Sequence, residues 1–352
     1  MSNHFLSKLI FVWKRPKVIV VTGDSRACAK EAIFQVLKPH LKVGKEILLY
    51  EVNSRDSQEF EFLLKRSRLP ILVVTHVGEY HPDKEFFAGE LEEVKEIIKL
   101  AEVLPAHGYL ILNFDDETVR DLKNKSKAHP LTFGFGARAN FRATDIVLTQ
   151  FPGLGTNFKI NYEGSMVPVW LEKLFGKEQI YAALLAAAVG EVFGLNLVEI
   201  SGALKFYQGL SGKMKLIEGV KNSWILDGSE NASPLSTLEA LEILKNIAIT
   251  GRRIAVLGDI LGIGKYTIEA HEAIGEAVKN SADLLFTVGP RARFFAEGAK
   301  QKGMLEDKIF QFDTASQAGK AVEVEIREGD LILVDGSKEM EMPEVVEEIK
   351  LE

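Results

Sequence analysis

The chain has 352 residues, 46% of them hydrophobic and 26% charged, a composition ordinary for a globular protein with room for two cores. Its 43 basic and 50 acidic residues give a net charge of −7 without long like-charge blocks, which excludes a general nucleic-acid surface because such surfaces need clustered Lys and Arg. A single cysteine excludes an internal disulfide, and no apolar run approaches the roughly 20 residues of a membrane span, so a cytoplasmic protein is predicted.

An amphipathic N-terminal segment, residues 1–16, precedes the first predicted strand. Its apolar centre is short and lacks the small-residue cleavage site of a secretory signal. The segment could lie on a membrane surface, but packing against the following domain is the preferred interpretation.

Apolar runs alternate with helical patterns through the first third of the chain. Runs this continuous are typical of strands buried on both faces of a parallel sheet. Helical patterns lie between them, at residues 57–67 and 89–104. The predicted strands are residues 17–23, 45–52, 69–78 and 107–116.

The pattern changes at residues 129–172, where short strands and turns predict an antiparallel extension of the sheet. An Ala-rich helix follows at 177–194, and Gly194 is predicted to end it.

A second series of strands and helices begins after a break near residues 207–215. Regular alternation of strands with helices predicts a second, mostly parallel sheet. Ligands of such sheets bind beyond the carboxyl ends of the strands. The predicted strands are residues 223–229, 253–259, 282–289, 308–313 and 330–337.

The stretch TGDSRACAKEAI has the strand–turn–helix pattern of a phosphate loop. Such a loop usually reads G-x-x-x-x-G-K-[ST], in which backbone N–H groups surround the phosphates, the lysine neutralises them and the hydroxyl binds magnesium. Here Arg26 stands at the second glycine, Ala27 at the lysine and Cys28 at the hydroxyl. Because a Cβ at that glycine position crowds the anion site, we interpret the turn after Gly23 as unable to hold a triphosphate, although Arg26 or Lys30 could reach one from a displaced backbone.

Cys28 itself has two interpretations. At a helix N-terminus beside Arg26 it could be a reactive thiolate. A small buried residue that fills space left by the lost phosphate is the preferred interpretation.

Several stretches together resemble the Mur ligase family, most closely its D-alanyl-D-alanine-adding branch. In chain order they are TGDSRACAKEAI, THVGEYH, LPAHGYLILNFDD, GKMKLIEG, ILDGSENASPLSTLEAL, IAVLGDILGIGKYTIEAH and GDLILVDGSKEMEM. The resemblance covers about residues 17–350 and is specific through the order and spacing of these stretches. It implies an α/β fold with a central P-loop-NTPase-like, mostly parallel sheet domain at 17–211 and a C-terminal Rossmann-like domain at 212–352, without the family's N-terminal uridine-nucleotide domain.

The family forms an amide bond through an acyl phosphate made from ATP, a reaction that depends on Lys and Mg²⁺. The resemblance therefore implies ATP and Mg²⁺ as cofactors, and an acid–amino-acid ligase of peptidoglycan precursor synthesis. It assigns catalytic positions to His81, Glu51 and Lys213, and metal ligation to Glu51 and His81. The cofactor-binding positions that it implies are Gly23, Lys30, Asn113, Asn231, Asp259 and His271.

Several of these positions have structural alternatives. Asn231 could cap the following helix, and Asp259 could end a strand in a turn. A lone histidine such as His81 or His271 is more often a hydrogen-bonded residue than a ligand. His76 could join His81 and Glu51 in a metal site, although the spacing of the two histidines is unspecific.

Departures from the family pattern lie at separate metal and substrate positions as well as in the phosphate loop. They replace a carbamylated lysine, a His, an Asn, an Arg and a Lys, in that order. The residues found there are Ile97, Glu178, Ala182, Lys213 and Asp335. Removing one well-placed electrostatic contact costs about 3–4 kcal/mol of transition-state stabilisation, so several such losses predict that ATP hydrolysis is lost.

The predicted function is a binding or partner module for an adenine nucleotide or a small peptide-like ligand, with another Mur ligase or cell-wall enzyme as a candidate partner. The alternative is an active ATP-dependent acid–amino-acid ligase with an atypical phosphate loop. A third hypothesis is a subunit that receives its missing Lys or Arg from another protein.

Overall fold

The computed structural model describes residues 11–52, 57–77, 88–149, 153–230 and 232–351. The chain divides into two compact units. Unit 1 takes the described residues up to Val147 together with Asn157–Leu171 and Lys177–Tyr207, and unit 2 takes Leu148–Thr156, Glu172–Gly176 and the residues from Gln208 onward. None of the described helices has the length and apolar character needed to cross a membrane.

Eight strands form the first sheet, in the order β2-β1-β3-β4-β5-β6-β7-β8. The four leading strands pair in parallel, and β3 is buried along its whole length, as its unbroken apolar sequence predicts. The strands are β1 (Lys17–Thr22), β2 (Ile47–Glu51), β3 (Pro70–Val74), β4 (Tyr109–Asn113), β5 (His129–Gly134), β6 (Phe141–Thr149), β7 (Gly155–Tyr162) and β8 (Ser165–Glu172).

The predicted antiparallel extension from residue 129 was wrong for its first strands. β5 pairs in parallel with β4, and β6 pairs in parallel with β5 at Phe133–Phe141 and Gly134–Arg142. Short strands with many turns favour antiparallel hairpins as a rule, but the six residues between β5 and β6 are more than a tight hairpin turn needs.

The helices of unit 1 are α1 (Arg26–Leu37), α2 (Ser57–Arg66), α3 (Ala88–Glu102), α4 (Glu117–Asp121), α5 (Lys177–Val192) and α6 (Leu197–Leu204). From β1 the chain moves through α1 to β2, and then through α2 to β3 on the other side of β1. Because such crossovers are right-handed, α1 and α2 lie on opposite faces of the sheet. The carboxyl ends of β1 and β3 therefore flank a topological switch point, where ligands of open α/β sheets bind.

A helical turn at residues 11–14 precedes β1, and the ring centroid of Phe11 lies 6.0 Å from that of Phe62 in α2. The rest of the predicted N-terminal segment, residues 1–10, lies outside the described residues. At the far end of α5, Gly194 adopts φ +82°, and its N–H donates to the Glu191 carbonyl at 2.7 Å, so the helix stops where the sequence predicts.

Unit 2 has a six-stranded sheet in the order β13-β12-β11-β14-β10-β9, with helices on both faces. All its neighbouring strands are parallel except β9, an edge strand absent from the sequence prediction, which pairs antiparallel with β10. The predicted α/β fold class is confirmed. The elements are β9 (Lys215–Gly219), β10 (Ser223–Gly228), α7 (Pro234–Asn246), β11 (Arg253–Gly258), α8 (Thr267–Val278), β12 (Leu284–Val288), α9 (Arg293–Gln301), β13 (Ile309–Phe312), α10 (Ala315–Glu325), β14 (Leu331–Asp335) and α11 (Pro343–Ile349).

Two glycines let α8 and α9 touch backbone to backbone. A Cβ on Gly275 would lie 2.1 Å from the Phe295 carbonyl oxygen, and one on Gly298 would lie 2.1 Å from the Glu272 carbonyl oxygen. No side chain fits at either position, so this contact depends on glycine in both helices.

A charged network closes the amino end of the second sheet. The buried Asp330 carboxylate accepts hydrogen bonds from the Arg252 N–H and Nη2, both at 2.8 Å, and from the Arg327 N–H at 2.9 Å. Arg252 also donates to the Glu325 carboxylate and carbonyl, each at 2.7 Å. The segment before β11 is thereby joined, through one guanidinium group, to the end of α10 and to the loop before β14.

Candidate functional site

The turn after β1 is fastened to the end of β3. Gly23 adopts φ +102°, and a Cβ there would lie 2.3 Å from Thr75 Oγ1 and 2.6 Å from the His76 carbonyl oxygen. The next residue, Asp24, donates its N–H to that same carbonyl at 2.9 Å. Packing against β3 is thus enough to require glycine at this position.

The cationic side chains near this turn have partners within the protein. Arg26 Nη1 donates to the Gly23 carbonyl at 3.1 Å, so the guanidinium folds back over the turn. Lys30 Nζ lies 3.2 Å from Glu51 Oε1, with side chains 40% and 39% exposed. The structure thus brings together Lys30, a predicted cofactor residue, and Glu51, a predicted catalytic residue and metal ligand.

Cys28 lies wholly inside unit 1. Its thiol is hydrogen-bonded to the buried Tyr207 hydroxyl, which in turn donates to Gln179 Oε1 at 2.7 Å. Burial raises the pKa of Tyr207 well above its ordinary value, and the neighbouring Cys28 adds to the effect. Enclosure of the thiol supports its interpretation as a small buried residue.

The residues after β4 shape the adjoining turns. Asn113 Oδ1 accepts the Asp115 N–H at 2.9 Å. The Asp115 carboxylate accepts the Phe135 N–H at 2.6 Å, the Gly136 N–H at 2.9 Å and the Tyr181 hydroxyl at 3.0 Å. Asn113, predicted to bind cofactor, is 3% exposed, and its side chain stabilises this turn through the hydrogen bond from Asp115.

An Asp–His pair at the ends of β3 and β4 was missed by the sequence analysis. His76 Nδ1 lies 2.8 Å from Asp116 Oδ2, and Asp116 also accepts the Val77 and Val119 N–H groups, each at 3.0 Å. Burial on its own raises the pKa of Asp116, but hydrogen bonds from His76 and the two amides outweigh it, so the pKa is lowered. The available signal was a histidine after one strand and an Asp-Asp turn after its neighbour.

Two predicted residues, His81 and Asn231, lie outside the described residues. Within the described part of the chain, no three His, Cys, Asp or Glu side chains are grouped as a metal site would require. The metal site assigned to Glu51 and His81 stays a prediction.

Asp259 and His271 hold the carboxyl end of β11 in place. Asp259 Oδ1 accepts the Arg291 and Ala292 N–H groups at 2.9 and 2.6 Å. His271 is fully buried, with Nδ1 2.6 Å from the Thr267 carbonyl and Nε2 accepting the Ile260 N–H at 3.2 Å. This pattern requires the neutral ring with its proton on Nδ1, and burial lowers the pKa of His271 accordingly. The predicted contact of Asp259 and His271 with a nucleoside stays a prediction.

Lys213 and Asp335, two of the departures from the family pattern, are neighbours in unit 2. Asp335 ends β14, is 3% exposed and accepts the Thr237 hydroxyl at 2.5 Å. Burial raises the pKa of Asp335 to about 7, although Thr237 and the positive charge of Lys213 oppose the rise. The loop that carries Lys213 is fixed by the Gly212 N–H, which donates to Asp227 at 2.6 Å.

Asp335→Asn is expected to change how stability depends on pH. Because the folded-state pKa of Asp335 is raised, its carboxyl group favours the folded state most below its unfolded pKa of about 4, and this stabilisation is lost as pH rises through about 7. Thermal melts between about pH 5 and 8 should therefore show wild-type stability falling relative to Asp335→Asn. The exposed Asp313→Asn should follow wild type, and parallel profiles for all three proteins would contradict the prediction.

Family models match most of the chain. The Mur ligase middle domain matches residues 17–190, and the Mur ligase glutamate ligase domain matches residues 212–338. Among curated proteins, the UDP-N-acetylmuramoyl-tripeptide–D-alanyl-D-alanine ligase of Bacillus subtilis is 25% identical over 95% of this chain and 76% of its own length. The Escherichia coli protein of the same name is 28% identical over 69% of this chain and 52% of its own length.

Solved structures agree on the fold. MurF from Acinetobacter baumannii superposes with a TM-score of 0.77 at 20% identity, covering 97% of this chain and 79% of that one. MurF from Thermotoga maritima, solved in complex with ADP, gives a TM-score of 0.75 at 18% identity, covering 98% of this chain and 82% of that one.

Proposed function

Because the chain belongs to the Mur ligase family, we propose that it is a MurF-like protein that binds an adenine nucleotide or a small peptide-like ligand and has lost ATP hydrolysis. Its ligand would come from peptidoglycan precursor synthesis, as the name of its Bacillus relative suggests. Adenine-nucleotide binding is supported by the fold it shares with an ADP-bound MurF.

The observation that carries the proposal is the contact between Arg26 and the Gly23 carbonyl. A phosphate loop needs backbone N–H groups and a cation that face the anion. Here the guanidinium of Arg26 covers the turn, Ala27 supplies no charge, and Cys28 turns its thiol inward to Tyr207. The described residues of this turn therefore do not fit a magnesium-bound triphosphate, and no phosphate-transfer step is assigned to them.

One observation favours the alternative, an active ligase with an atypical loop. The ion pair of Lys30 with Glu51 is substantially exposed, and pairs of this kind contribute only about 0–1 kcal/mol. A nucleotide could therefore release Lys30 for phosphate and Glu51 for Mg²⁺ at little cost.

Calorimetric titration of the full chain with adenosine, ADP and ATP, each with and without Mg²⁺, distinguishes the two functions. We expect affinities that differ by less than about tenfold among the three ligands and are indifferent to Mg²⁺, because the terminal phosphates gain no contacts. A parallel assay should find no ATP-dependent phosphate release.

A matched variant sharpens this test. Arg26→Gly, Ala27→Lys and Cys28→Thr together restore the charge and hydroxyl of a standard loop, and should strengthen magnesium-ATP binding about tenfold or more. Lys123→Ala, at an exposed position outside the turn sequence, is the control and should bind like wild type. Phosphate release by wild type that is abolished by Glu51→Gln would overturn the proposal in favour of the active ligase.

A further inference from the structure

The switch point of unit 1 carries a polar pair that the proposed loss of phosphate chemistry does not explain. His76 follows β3 and is tied to the turn after β1 by the Asp24 N–H, which donates to its carbonyl at 2.9 Å. The histidine ring is 40% exposed, whereas the Asp116 side chain beside it is 7% exposed. An accessible imidazole backed by a buried carboxylate thus lies where open α/β sheets bind ligands.

Both oxygens of Asp116 are committed. Oδ1 accepts the Val119 N–H as the N-cap of α4, and Oδ2 accepts the Val77 N–H and faces His76 Nδ1. The two backbone N–H groups are donors and the pKa of Asp116 is lowered, so the group is held as a carboxylate, and a neutral histidine facing it carries its proton on Nδ1. The lone pair of the ring then resides on Nε2.

This arrangement is that of an oriented proton acceptor. A carboxylate on Nδ1 fixes the tautomer of the ring and stabilises the imidazolium that forms when Nε2 takes up a proton. The aspartate is a positioning residue, since it acts only through the histidine. Such a pair carries a net negative charge and suits a cationic hydrogen-bond donor better than a phosphate.

We propose that His76, held by Asp116, accepts a proton from the ammonium group of a small peptide-like ligand bound at the carboxyl ends of β1 and β3. The proposal rests on the proposed function for the class of ligand. In the step, one N–H bond of the ammonium breaks, its electron pair stays on the amine nitrogen, and the proton forms an N–H bond with His76 Nε2. No electron is transferred, and the reverse step restores the neutral ring.

Imidazole nitrogen NMR of the ¹⁵N-labelled full chain tests the proposal, with D-alanyl-D-alanine as the probe and its N-acetyl derivative as the matched control. His76→Gln assigns the ring signals, and His129→Gln at an exposed site is the control variant. We expect the Nδ1–H tautomer in the free protein and a shift of the Nε2 signal toward imidazolium with the amine probe only. His76→Gln should weaken binding of the amine probe about tenfold or more.

Asp116→Asn provides a second measurement, with a thermal melt to verify that the variant is folded. It should remove the preference for Nδ1–H and the Nε2 shift, an effect that a purely structural role of Asp116 would not produce. An Nε2–H tautomer in the free wild-type protein, an equal shift with the acetylated probe, or no shift at all would overturn the proposal. Magnesium-dependent ATP hydrolysis would overturn the proposed function and leave the NMR result standing, so the two failures are distinguishable.

Discussion

Asp330→Asn is expected to lower the free energy of unfolding of unit 2 by about 3–5 kcal/mol, the usual cost of removing one partner of a buried ion pair. The side chain of Asp330 is 1% exposed and joins the Arg252 guanidinium to the backbone amides of two loops. Asparagine has the same size, but it lacks the charge and places an amide N–H₂ among groups that are themselves donors. Urea unfolding followed by circular dichroism measures the change.

Two comparisons make this prediction specific. The exposed Asp307→Asn should change stability by less than about 0.5 kcal/mol, since it removes no buried partner. Burial on its own raises the pKa of Asp330, but its hydrogen bonds with Arg252 outweigh this, so the pKa is lowered in the folded state. The stabilisation is therefore present above the unfolded pKa of about 4 and lost as pH falls through the lower folded value, and Asp330→Asn should lack this acid-dependent loss. Equal stability of the two variants would contradict the prediction.

Gly275→Ala is expected to destabilise unit 2 by about 3 kcal/mol, the upper end of the range for over-packing. The added Cβ would meet the Phe295 carbonyl oxygen at 2.1 Å, and a backbone atom cannot move aside as a flexible side chain can. Separating α8 from α9 would also disturb the ring of His271, whose centroid lies 4.5 Å from that of Phe295. Thermal melting and urea unfolding both measure the loss.

The control substitution is expected to change stability in the opposite direction. Gly202 lies within α6, and a Cβ there would meet no atom within 4 Å. Gly202→Ala should therefore stabilise the protein by about 0.5–1 kcal/mol, because alanine loses less backbone entropy in a helix. A stabilising Gly275→Ala would show that α8 and α9 do not pack as closely as the structure has them.

Strands buried on both faces were the part of the fold that sequence reasoning predicted well. Their apolar runs are unbroken, as in β3 and β14, and glycines such as Gly23 and Gly194 mark where elements end. The edge strand β9 was missed because only two of its five residues are buried, which leaves a weak pattern. Parallel pairing of β6 was missed because its direction follows from the path of the chain rather than from local composition.

The sequence predicted where the residues of the candidate site lie along the strands, but it did not predict which of their side chains are in contact. The sequence indicated that Gly23, Glu51 and Asn113 lie at the carboxyl ends of strands, which meet at one edge of a sheet. It did not predict that Arg26 bonds to its own turn, because a rotamer choice leaves no pattern in composition. Nor did it pair His76 with Asp116 or place Lys213 near Asp335, since these neighbours are brought together only by strand register and helix packing.

The enclosure of Cys28 has a practical consequence for labelling. A maleimide dye needs an accessible sulfur, and the single native thiol of this chain is fully buried and hydrogen-bonded to Tyr207. One new cysteine at an exposed position in each unit would then take up fluorophores without prior removal of the native one. Energy transfer between such dyes would report how the separation of the two units responds to each added compound.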